Sequence, residues 1–411
     1  MTDLLPTRPD ARVELIDIVR GFALFGVMLA NMVWVAYGFA LTDAQQAALP
    51  TAGLDRLANR AVLFLVDFKF YTLFAMLFGL GFALQLTRAA ERGRTILPVY
   101  VRRLAILFAL GVAHALLLWF GDILHMYALV GFILILFRRH DDRVLLGWAV
   151  GIAAFVALMP ALQWVLVSAG FAPPEAASDP NEEVENFRLL MSGNWSDVVR
   201  INWAVVTQDY MNRSLGFDGT LYLYFSVLWK FLLGFVMGRR MLLQDWRKHL
   251  AFFRRLFLWA LPIGLAGNAL MLFLLIHYHQ WIGNMRSPRA LAMIPIEIGM
   301  FALSMAYLSG IVLLYTRPAW QKRLVYLAPV GRMALTNYLS QSVFLVVLFY
   351  GVGFGLLGKV GAAACVVLCI LLFALQIGVS NWWLRRARFG PAEWVWRSLT
   401  YGRLQPFRAT A

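Results

Sequence analysis

Cysteine is nearly absent from this 411-residue sequence, which has only two. Cys365 and Cys369 lie four residues apart within one apolar run. A disulfide framework needs several spaced cysteines, and metal sites built on cysteine and histidine have characteristic spacings that this sequence does not show. The sequence therefore predicts neither disulfides nor a metal site.

Charged residues are also scarce. They make up 14% of the chain, whereas 61% of its residues are hydrophobic. A soluble domain cannot bury that much apolar surface. The first apolar run is too long for a cleavable signal peptide, and the polar residues before it lack a signal's order of charged, apolar and small residues. The composition indicates a polytopic membrane protein, and we expect its N-terminus to be retained.

Known catalytic signatures are missing as well. The sequence contains no P-loop, no HExxH zinc motif and no GxSxG nucleophile motif. ATPase, zinc-enzyme and hydrolase functions therefore have no support in the sequence.

Ten apolar windows are long enough to cross a bilayer core of about 30 Å at about 1.5 Å per helical residue. The fourth window is short, and we expect it to form a hairpin with the third that turns at residues 120–122. The prediction is an all-α polytopic membrane protein with about ten transmembrane helices. The windows lie near residues 16–39, 66–87, 102–120, 122–137, 144–169, 219–238, 254–277, 289–315, 329–354 and 360–384.

Lysine and arginine outnumber the acidic residues by 37 to 22. With a cytoplasmic N-terminus, most of these basic residues fall in cytoplasmic segments, as the positive-inside rule requires. Basic loops then explain the net charge of +15 without a nucleic-acid partner. The predicted location is the bacterial inner membrane, among membrane lipids, with both termini cytoplasmic. The sequence leaves open whether the protein forms a homo-oligomer.

The chain divides into three predicted parts. Residues 1–169 form an N-terminal helical half that contains the DxxRG and GDILH motifs. Residues 170–218 form a polar extracytoplasmic loop, in which alternating polarity predicts an interfacial helix around 186–210. Residues 219–411 form a C-terminal helical domain.

Polar side chains gather at the predicted outer end of the bundle. An ionisable group costs at least about 2.5 kcal/mol at mid-membrane, so each one that is retained is a candidate for function. Asp122 could instead cap the helix that follows it, and His114 could serve packing alone. The outer set comprises His114, Asp122, His125, Asn31, Asp67 and Lys69, with His277, His279, Trp281, Asn284 and Arg286 in a later loop.

Further polar residues lie deeper. Lys230 and Glu297 are both near mid-depth, where an ion pair between helices would serve either packing or transport. Asp17 and Arg20 are three residues apart on the first helix and can face one another. A polar stripe in the ninth helix contains Asn337, Tyr338, Gln341 and Ser342. Together these residues form the polar line that a transport path or a substrate tunnel needs.

Several stretches resemble the YeiB-like bacterial membrane family, whose C-terminal half is known as domain of unknown function 418. The similarity spans nearly the whole chain, and residues 219–411 correspond to the family's C-terminal domain. The matching stretches are RVELIDIVRGFALFGVMLANM (12–32), KFYTLFAMLFGLGFAL (69–84), GVAHALLLWFGDILHMYALVGF (111–132), PVGRMALTNYLSQSV (329–343) and FGPAEWVWRSLTYG (389–402).

That family is similar to transmembrane acyltransferases such as heparan-alpha-glucosaminide N-acetyltransferase. The relatives open with an Asp-x-x-Arg-Gly helix, which Asp17, Arg20 and Gly21 match. Asn31, eleven residues after the arginine, matches an asparagine of the glucosaminide enzyme. A catalytic histidine soon follows that asparagine in the enzyme, whereas residues 32–68 here contain no histidine.

The resemblance implies an acyltransferase that moves an acyl group from cytoplasmic acyl-CoA to an extracytoplasmic glycan or envelope lipid. Acyl-CoA would be a co-substrate rather than a bound cofactor. The expected roles are general base for His114, orienting carboxylate for Asp122, oxyanion or acceptor-positioning amide for Asn31, reserve base for His125, and coenzyme-phosphate contacts for Arg20, Arg102 and Arg103.

A transporter without covalent chemistry is the main alternative. Its path would follow the intramembrane polar residues Asp17, Lys230, Glu297, Asn337 and Gln341. A non-catalytic partner subunit, for which neither polar cluster matters, is a third interpretation.

Overall fold

The computed structural model describes residues 13–39, 46, 49, 51–93, 95–171, 180–211, 220–278 and 288–408. This part of the chain is helical and contains no strand, only an isolated bridge between Ala387 and Arg408. Its α-helices are α1 Glu14–Val33, α2 Ala52–Leu65, α3 Lys69–Ala90, α4 Leu97–Leu117, α5 Leu124–Leu136, α6 Asp142–Ser168, α7 Pro180–Leu190, α8 Trp195–Met211, α9 Thr220–Arg239, α10 Leu250–Tyr278, α11 Met293–Tyr315, α12 Pro318–Leu324, α13 Ala328–Arg332, α14 Ala334–Phe349, α15 Ala362–Trp383 and α16 Pro391–Tyr401.

All ten predicted windows overlap helices, and the all-α polytopic membrane fold is confirmed. Within the described residues, eight spans are long and apolar enough to cross a membrane, and a pair bent by 81° between Arg332 and Ala334 makes a ninth. The remaining window, the fourth along the chain, is α5, whose 13 residues extend about 20 Å and do not span the hydrocarbon core alone. The predicted hairpin is present, because α4 ends at Leu117 and α5 begins at Leu124.

Helix α1 is the centre of the bundle. It contacts α2, α3, α11, α13, α14 and α15. Apolar residues on all its sides are buried, among them Leu15, Ile18 and Leu24, which are at most 1% exposed. A helix that is apolar all round is stable only when neighbours enclose it, and α1 meets that condition. A second buried cluster joins α3, α4, α5, α6 and α9.

The polar loop departs from its prediction. One interfacial helix was expected around 186–210, but two helices, α7 and α8, occupy this region. The side chain of Asn194 accepts a hydrogen bond from the backbone N–H of Ser196 at 3.2 Å, as an N-cap does. Ser192 also donates to Asp197 at 2.8 Å. These local bonds begin a new helix at Trp195 and separate it from α7.

Helices α3 and α9 cross closely at Gly79. A Cβ at this position would overlap the backbone carbonyl of Phe231, whereas a Cβ at Gly81, two residues further on, would meet no atom within 4 Å. The rings of Phe78 and Phe231 stack beside the crossing with centroids 4.6 Å apart. The absence of a side chain at Gly79 therefore sets the separation of the two helices.

We expect Gly79→Ala to lower the free energy of unfolding by about 1–3 kcal/mol, because the methyl group forces the backbones apart. Gly81→Ala on the same helix is the control, and we expect it to be neutral or to gain up to about 1 kcal/mol from helix propensity. Thermal unfolding in detergent, followed by circular dichroism, compares the two. Equal midpoints would contradict the proposed crossing.

Candidate functional site

Two histidines meet one carboxylate where α4 turns into α5. The Nδ1 atom of His114 lies 2.8 Å from Oδ1 of Asp122, and the Nδ1 atom of His125 lies 2.7 Å from Oδ2. The backbone N–H of His125 also donates to Oδ2 at 2.9 Å. The Asp122 side chain is completely buried. Asp122 thus both supports the start of α5 and orients two imidazoles.

The carboxylate determines how the His114 ring is protonated. An ionised carboxylate only accepts hydrogen bonds, so its partner Nδ1 carries the hydrogen and Nε2 keeps its lone pair. The Nε2 atom of His114 is buried and has no hydrogen-bond partner among the described residues. An imidazole held in this way has the tautomer that a general base requires.

Glycine at position 111 lets α4 and α5 pack closely against each other. A Cβ on Gly111 would overlap the backbone nitrogen of His125 and lie 2.8 Å from Oδ2 of Asp122. Helix α8 covers the hairpin, because Asn202 accepts from the backbone N–H of Phe120 at 3.2 Å and donates to the carbonyl of Leu116 at 3.1 Å. Asn202 is fully buried, and no pattern in the sequence indicated this role.

Tyr338 of α14 connects the hairpin with the rest of the bundle. Its ring packs against the His114 ring with centroids 5.3 Å apart, and its hydroxyl accepts from the backbone N–H of Ile123 at 3.2 Å. Asn31 is not bonded to the histidines. Its Oδ1 accepts a hydrogen bond from the hydroxyl of Tyr71. The structure therefore brings the two histidines into contact with Asp122, whereas Asn31 is bonded to Tyr71 instead.

A cavity of about 280 Å³ runs through the bundle toward the hairpin. At the hairpin, its walls include Ile123, Leu124 and Tyr338. Basic side chains from five different helices line it together with the two acids Asp17 and Glu393, and these basic residues are Arg20, Arg88, Arg103, Arg332 and Arg397. We call this space the arginine cavity. Its charge favours an anionic ligand.

The predicted phosphate contacts are partly corrected. Arg20 and Arg103 line the arginine cavity, and the predicted pairing of Arg20 with Asp17 is confirmed at 2.7 Å. Arg102 does not line it. Its side chain is exposed and lies 3.4 Å from the carbonyl of Thr400. Successive residues of a helix point about 100° apart, so only Arg103 of this neighbouring pair faces inward.

Lys230 and Glu297 do not form the ion pair that their depth suggested. Lys230 donates to Ser226 at 2.6 Å, and Glu297 accepts from the hydroxyl of Tyr222. Among the described residues there is no ion pair between the two. Tyr222 and Lys230 are eight residues apart on α9, about 12 Å along the axis, so Glu297 and Lys230 lie at different heights.

The polar stripe of α14 mainly fixes helix packing. Asn337 donates to Ser380 of α15 at 3.0 Å, and the Nε2 atom of Gln341 donates to Gln376 at 3.0 Å. Gln376 in turn donates to the carbonyl of Asn337 at 3.1 Å. These bonds join α14 to α15, which holds Tyr338 in place.

Other predicted outer residues have local partners. Lys69 is fully buried and donates to the carbonyl of Leu63 at 2.7 Å. The Nδ1 atom of His277 lies 3.0 Å from the carbonyl of Phe273. The remaining predicted loop residues, His279, Trp281, Asn284 and Arg286, lie outside the described part of the chain.

Glu393 was not predicted as a site residue. Its Oε1 atom accepts from the backbone N–H groups of Leu335 at 2.6 Å and Thr336 at 3.2 Å, and Oε2 accepts from the Thr336 hydroxyl at 2.6 Å. The side chain therefore caps α14 at the 81° bend. Burial raises the pKa of its carboxyl, although the hydrogen bonds from Thr336 and Leu335 oppose the shift.

The eight to nine apolar spans found in the described residues, with a buried His–Asp–His cluster and a basic cavity among them, define a polytopic helical membrane protein with an internal polar site. The chain belongs to the YeiB-like family, and the family described as "Protein of unknown function (DUF418)" matches residues 237–403. The family resemblance noted in the sequence is confirmed.

Three bacterial relatives cover almost the whole chain. The uncharacterized protein YxaH of Bacillus subtilis (strain 168) is 32% identical over 99% of this chain and 98% of its own length. The uncharacterized protein YeiB of Escherichia coli (strain K12) is 30% identical over 94% of this chain and 95% of its own. An uncharacterized 39.9 kDa protein of the amylase 3' region in Bacillus acidopullulyticus is 26% identical over 98% and 97%, respectively. No solved structure matches the chain.

We expect Glu393→Leu to lower the free energy of unfolding by about 1–3 kcal/mol for each backbone N–H left unpaired at the start of α14. Glu393→Gln keeps a carbonyl acceptor for both N–H groups and is the matched control, with a change below about 1 kcal/mol. Thermal unfolding in detergent measures both. A leucine variant as stable as the wild type would disprove the capping role.

The stability of the wild type and that of the glutamine variant should depend differently on pH. Because the pKa of Glu393 is raised in the folded state, its contribution to stability is largest below its usual pKa of about 4.5 and falls as pH rises through the folded value. The glutamine variant lacks this loss.

Proposed function

We propose that this protein is an acyltransferase of the bacterial inner membrane. It would take an acyl group from acyl-CoA on the cytoplasmic side and deliver it to a hydroxyl or amine of an extracytoplasmic glycan or envelope lipid. The observation that carries the proposal is the buried His114–Asp122 pair, in which Nδ1 is bound by the carboxylate and Nε2 has no hydrogen-bond partner in the described part of the chain.

Each of the three side chains has one role in the proposed acyl transfer. Nε2 of His114 takes the proton of the acceptor as its oxygen or nitrogen bonds to the thioester carbonyl carbon. The carbon–sulfur bond then breaks, and the proton passes to the coenzyme A sulfur. Asp122 stabilises the imidazolium that forms between these steps. His125, bound to the same carboxylate, is the reserve base.

Asn31 is suited to stabilise the negatively charged oxygen that develops on the carbonyl in this reaction. Its Oδ1 atom is occupied by the Tyr71 hydroxyl, which leaves the Nδ2 hydrogens for an oxyanion or an acceptor. The hydrogen bond also fixes which end of the amide faces Tyr71. Asn31 would approach the reacting carbonyl from α1, whereas the base approaches from α4.

The arginine cavity fits the acyl donor. The Nε atom of Arg332 is buried and has no partner among the residues that the structure describes. The Arg103 guanidinium lies over the Trp396 ring with its carbon 4.0 Å from the ring centroid. Phosphates of the coenzyme would bind at this basic end, and the narrow arm that bears the acyl group would extend toward the hairpin. The positive-inside rule supports a cytoplasmic position for the same end, on the side where acyl-CoA is made.

The transport alternative has less support. It required a mid-membrane path through Lys230 and Glu297, and neither side chain lines the arginine cavity or bonds to the other. Both have partners on α9 instead.

We expect acetyl-CoA to bind the purified protein in detergent, measured by calorimetry. Arg332→Ala should weaken binding about tenfold or more, because a charge-assisted hydrogen bond contributes about 1.5–3 kcal/mol. Arg102→Ala is the matched control, since this exposed arginine lies outside the cavity, and should bind as the wild type does. Absent binding by folded wild type, or an equal loss in both variants, would contradict the donor site.

We expect His114→Ala to lower acyl transfer by a factor of about 10²–10⁴ while leaving acetyl-CoA binding intact. Transfer of the radiolabelled acetyl group from acetyl-CoA to bacterial envelope vesicles that contain the full chain provides the measurement. Asp122→Asn should reduce transfer through the same ring, and His125→Ala should reduce it less. A His114→Ala variant that transfers at the wild-type rate would exclude His114 as the base.

A further inference from the structure

A small, partly open chamber lies beside Tyr338. It holds about 10 Å³ of space, about enough for one water molecule. Its walls come from α1, from the residues after α4 and from α14, and they include Met28, Asn31, Met32, Trp119, Tyr338 and Gln341. We call it the hydroxyl chamber, for the reasons that follow.

Two buried polar atoms of the chamber residues have no partner. The Nε1–H of Trp119 is a donor and the Oε1 atom of Gln341 is an acceptor, and neither makes a hydrogen bond among the described residues. The two residues are only 3% and 7% exposed. Leaving such atoms unpaired costs about 1–3 kcal/mol each, so an unpaired donor and an unpaired acceptor on residues that line the same small cavity point to a bound group that satisfies both.

The chamber carries no charge. Of the described residues that line it, none is acidic, basic or histidine. An ammonium or carboxylate placed there would lose its hydration without gaining a counter-ion. A hydroxyl both donates and accepts hydrogen bonds, and therefore matches the Trp119 donor and the Gln341 acceptor.

We infer that the chamber binds a single neutral hydroxyl group, which is water in the resting protein and the acceptor's hydroxyl during acyl transfer. The second half of this inference rests on the proposed function. Tyr338 lines both the chamber and the arginine cavity, and its ring packs against His114. Donor, acceptor and base are therefore neighbours of one side chain.

The acceptor is then an alcohol, and the product is an ester. The hydroxyl oxygen forms a bond to the thioester carbonyl carbon, and the carbon–sulfur bond breaks. The hydroxyl proton moves to Nε2 of His114 and then to the departing sulfur. An amine acceptor, which arrives as an ammonium ion near neutral pH, has no matching charge in the chamber.

Radiolytic footprinting of the full chain in detergent tests the resting state, with water as the probe. Hydroxyl radicals formed at a bound water oxidise adjacent methionines. Met28 and Met32 are each 2% exposed, and Met293 and Met300 in an apolar cluster are 1% and 4% exposed. We expect the chamber pair to be oxidised several-fold faster. Equal rates for the two pairs would overturn the water site.

Variants of the two polar atoms make that test specific. Trp119→Phe and Gln341→Leu each remove one partner of the bound group and should bring the oxidation ratio toward one. Gln376→Leu is the matched control, because it removes the hydrogen bonds that join Gln376 to Gln341, Asn337 and Ser340 but leaves Oε1 on Gln341, so it reports the effect of a loosened α14–α15 contact alone. A loss of chamber oxidation in the control equal to that in Gln341→Leu would overturn the assignment.

The acceptor class is tested with ethanol and ethylamine as probes of equal size, with acetyl-CoA as donor. We expect ethyl acetate to exceed N-ethylacetamide at least tenfold, and Trp119→Phe to lower ester formation about tenfold with acetyl-CoA binding unchanged. Absent ester, predominant amide, or an unaffected Trp119→Phe variant would overturn the acceptor assignment. Failure to bind acetyl-CoA would instead refute the proposed function and leave the footprinting result standing.

Discussion

One buried carboxylate, that of Asp122, connects the helices at one end of this bundle. Asp122 is removed from water and accepts hydrogen bonds from two imidazoles and one backbone N–H. A buried charge is tolerated only when its hydrogen-bonding capacity is used, so these partners must be present together. The same turn is bonded to Asn202 of α8 and to Tyr338 of α14, and the position of four helices therefore depends on it.

The bundle has two chemically different ends. Arginines from five helices line one end of the central cavity, whereas the histidines and Asp122 lie beside its other end. Arg20 and Asn31 mark the two ends on α1, eleven residues or about 16 Å apart. A ligand that reaches between them needs an anionic group at one end and a neutral, reactive group at the other. Acyl-CoA has this distribution of charge.

The sequence predicted those features that follow from chain direction and local spacing. The lengths of the apolar runs predicted the helices, and the three-residue spacing predicted the Asp17–Arg20 pair. The predicted hairpin placed His114 at the same end of the bundle as Asp122. Features that depend on how a helix is rotated or offset against its neighbours were missed. Arg102 and Arg103 are adjacent in sequence but face different surroundings. Glu393 caps a helix that begins 59 residues earlier, and no local pattern reveals such a contact.

The shortness of α5 has a consequence for permeability. The 21 residues of α4 extend about 31 Å, enough to cross a hydrocarbon core about 30 Å thick, whereas the 13 residues of α5 extend only about 20 Å. Both helices meet at the turn that carries Asp122, so α5 ends about 10 Å short of the level at which α4 begins. The far end of α5 therefore adds no apolar helix to the last third of the core. A group that passes through the bundle there would meet a correspondingly lower dielectric barrier.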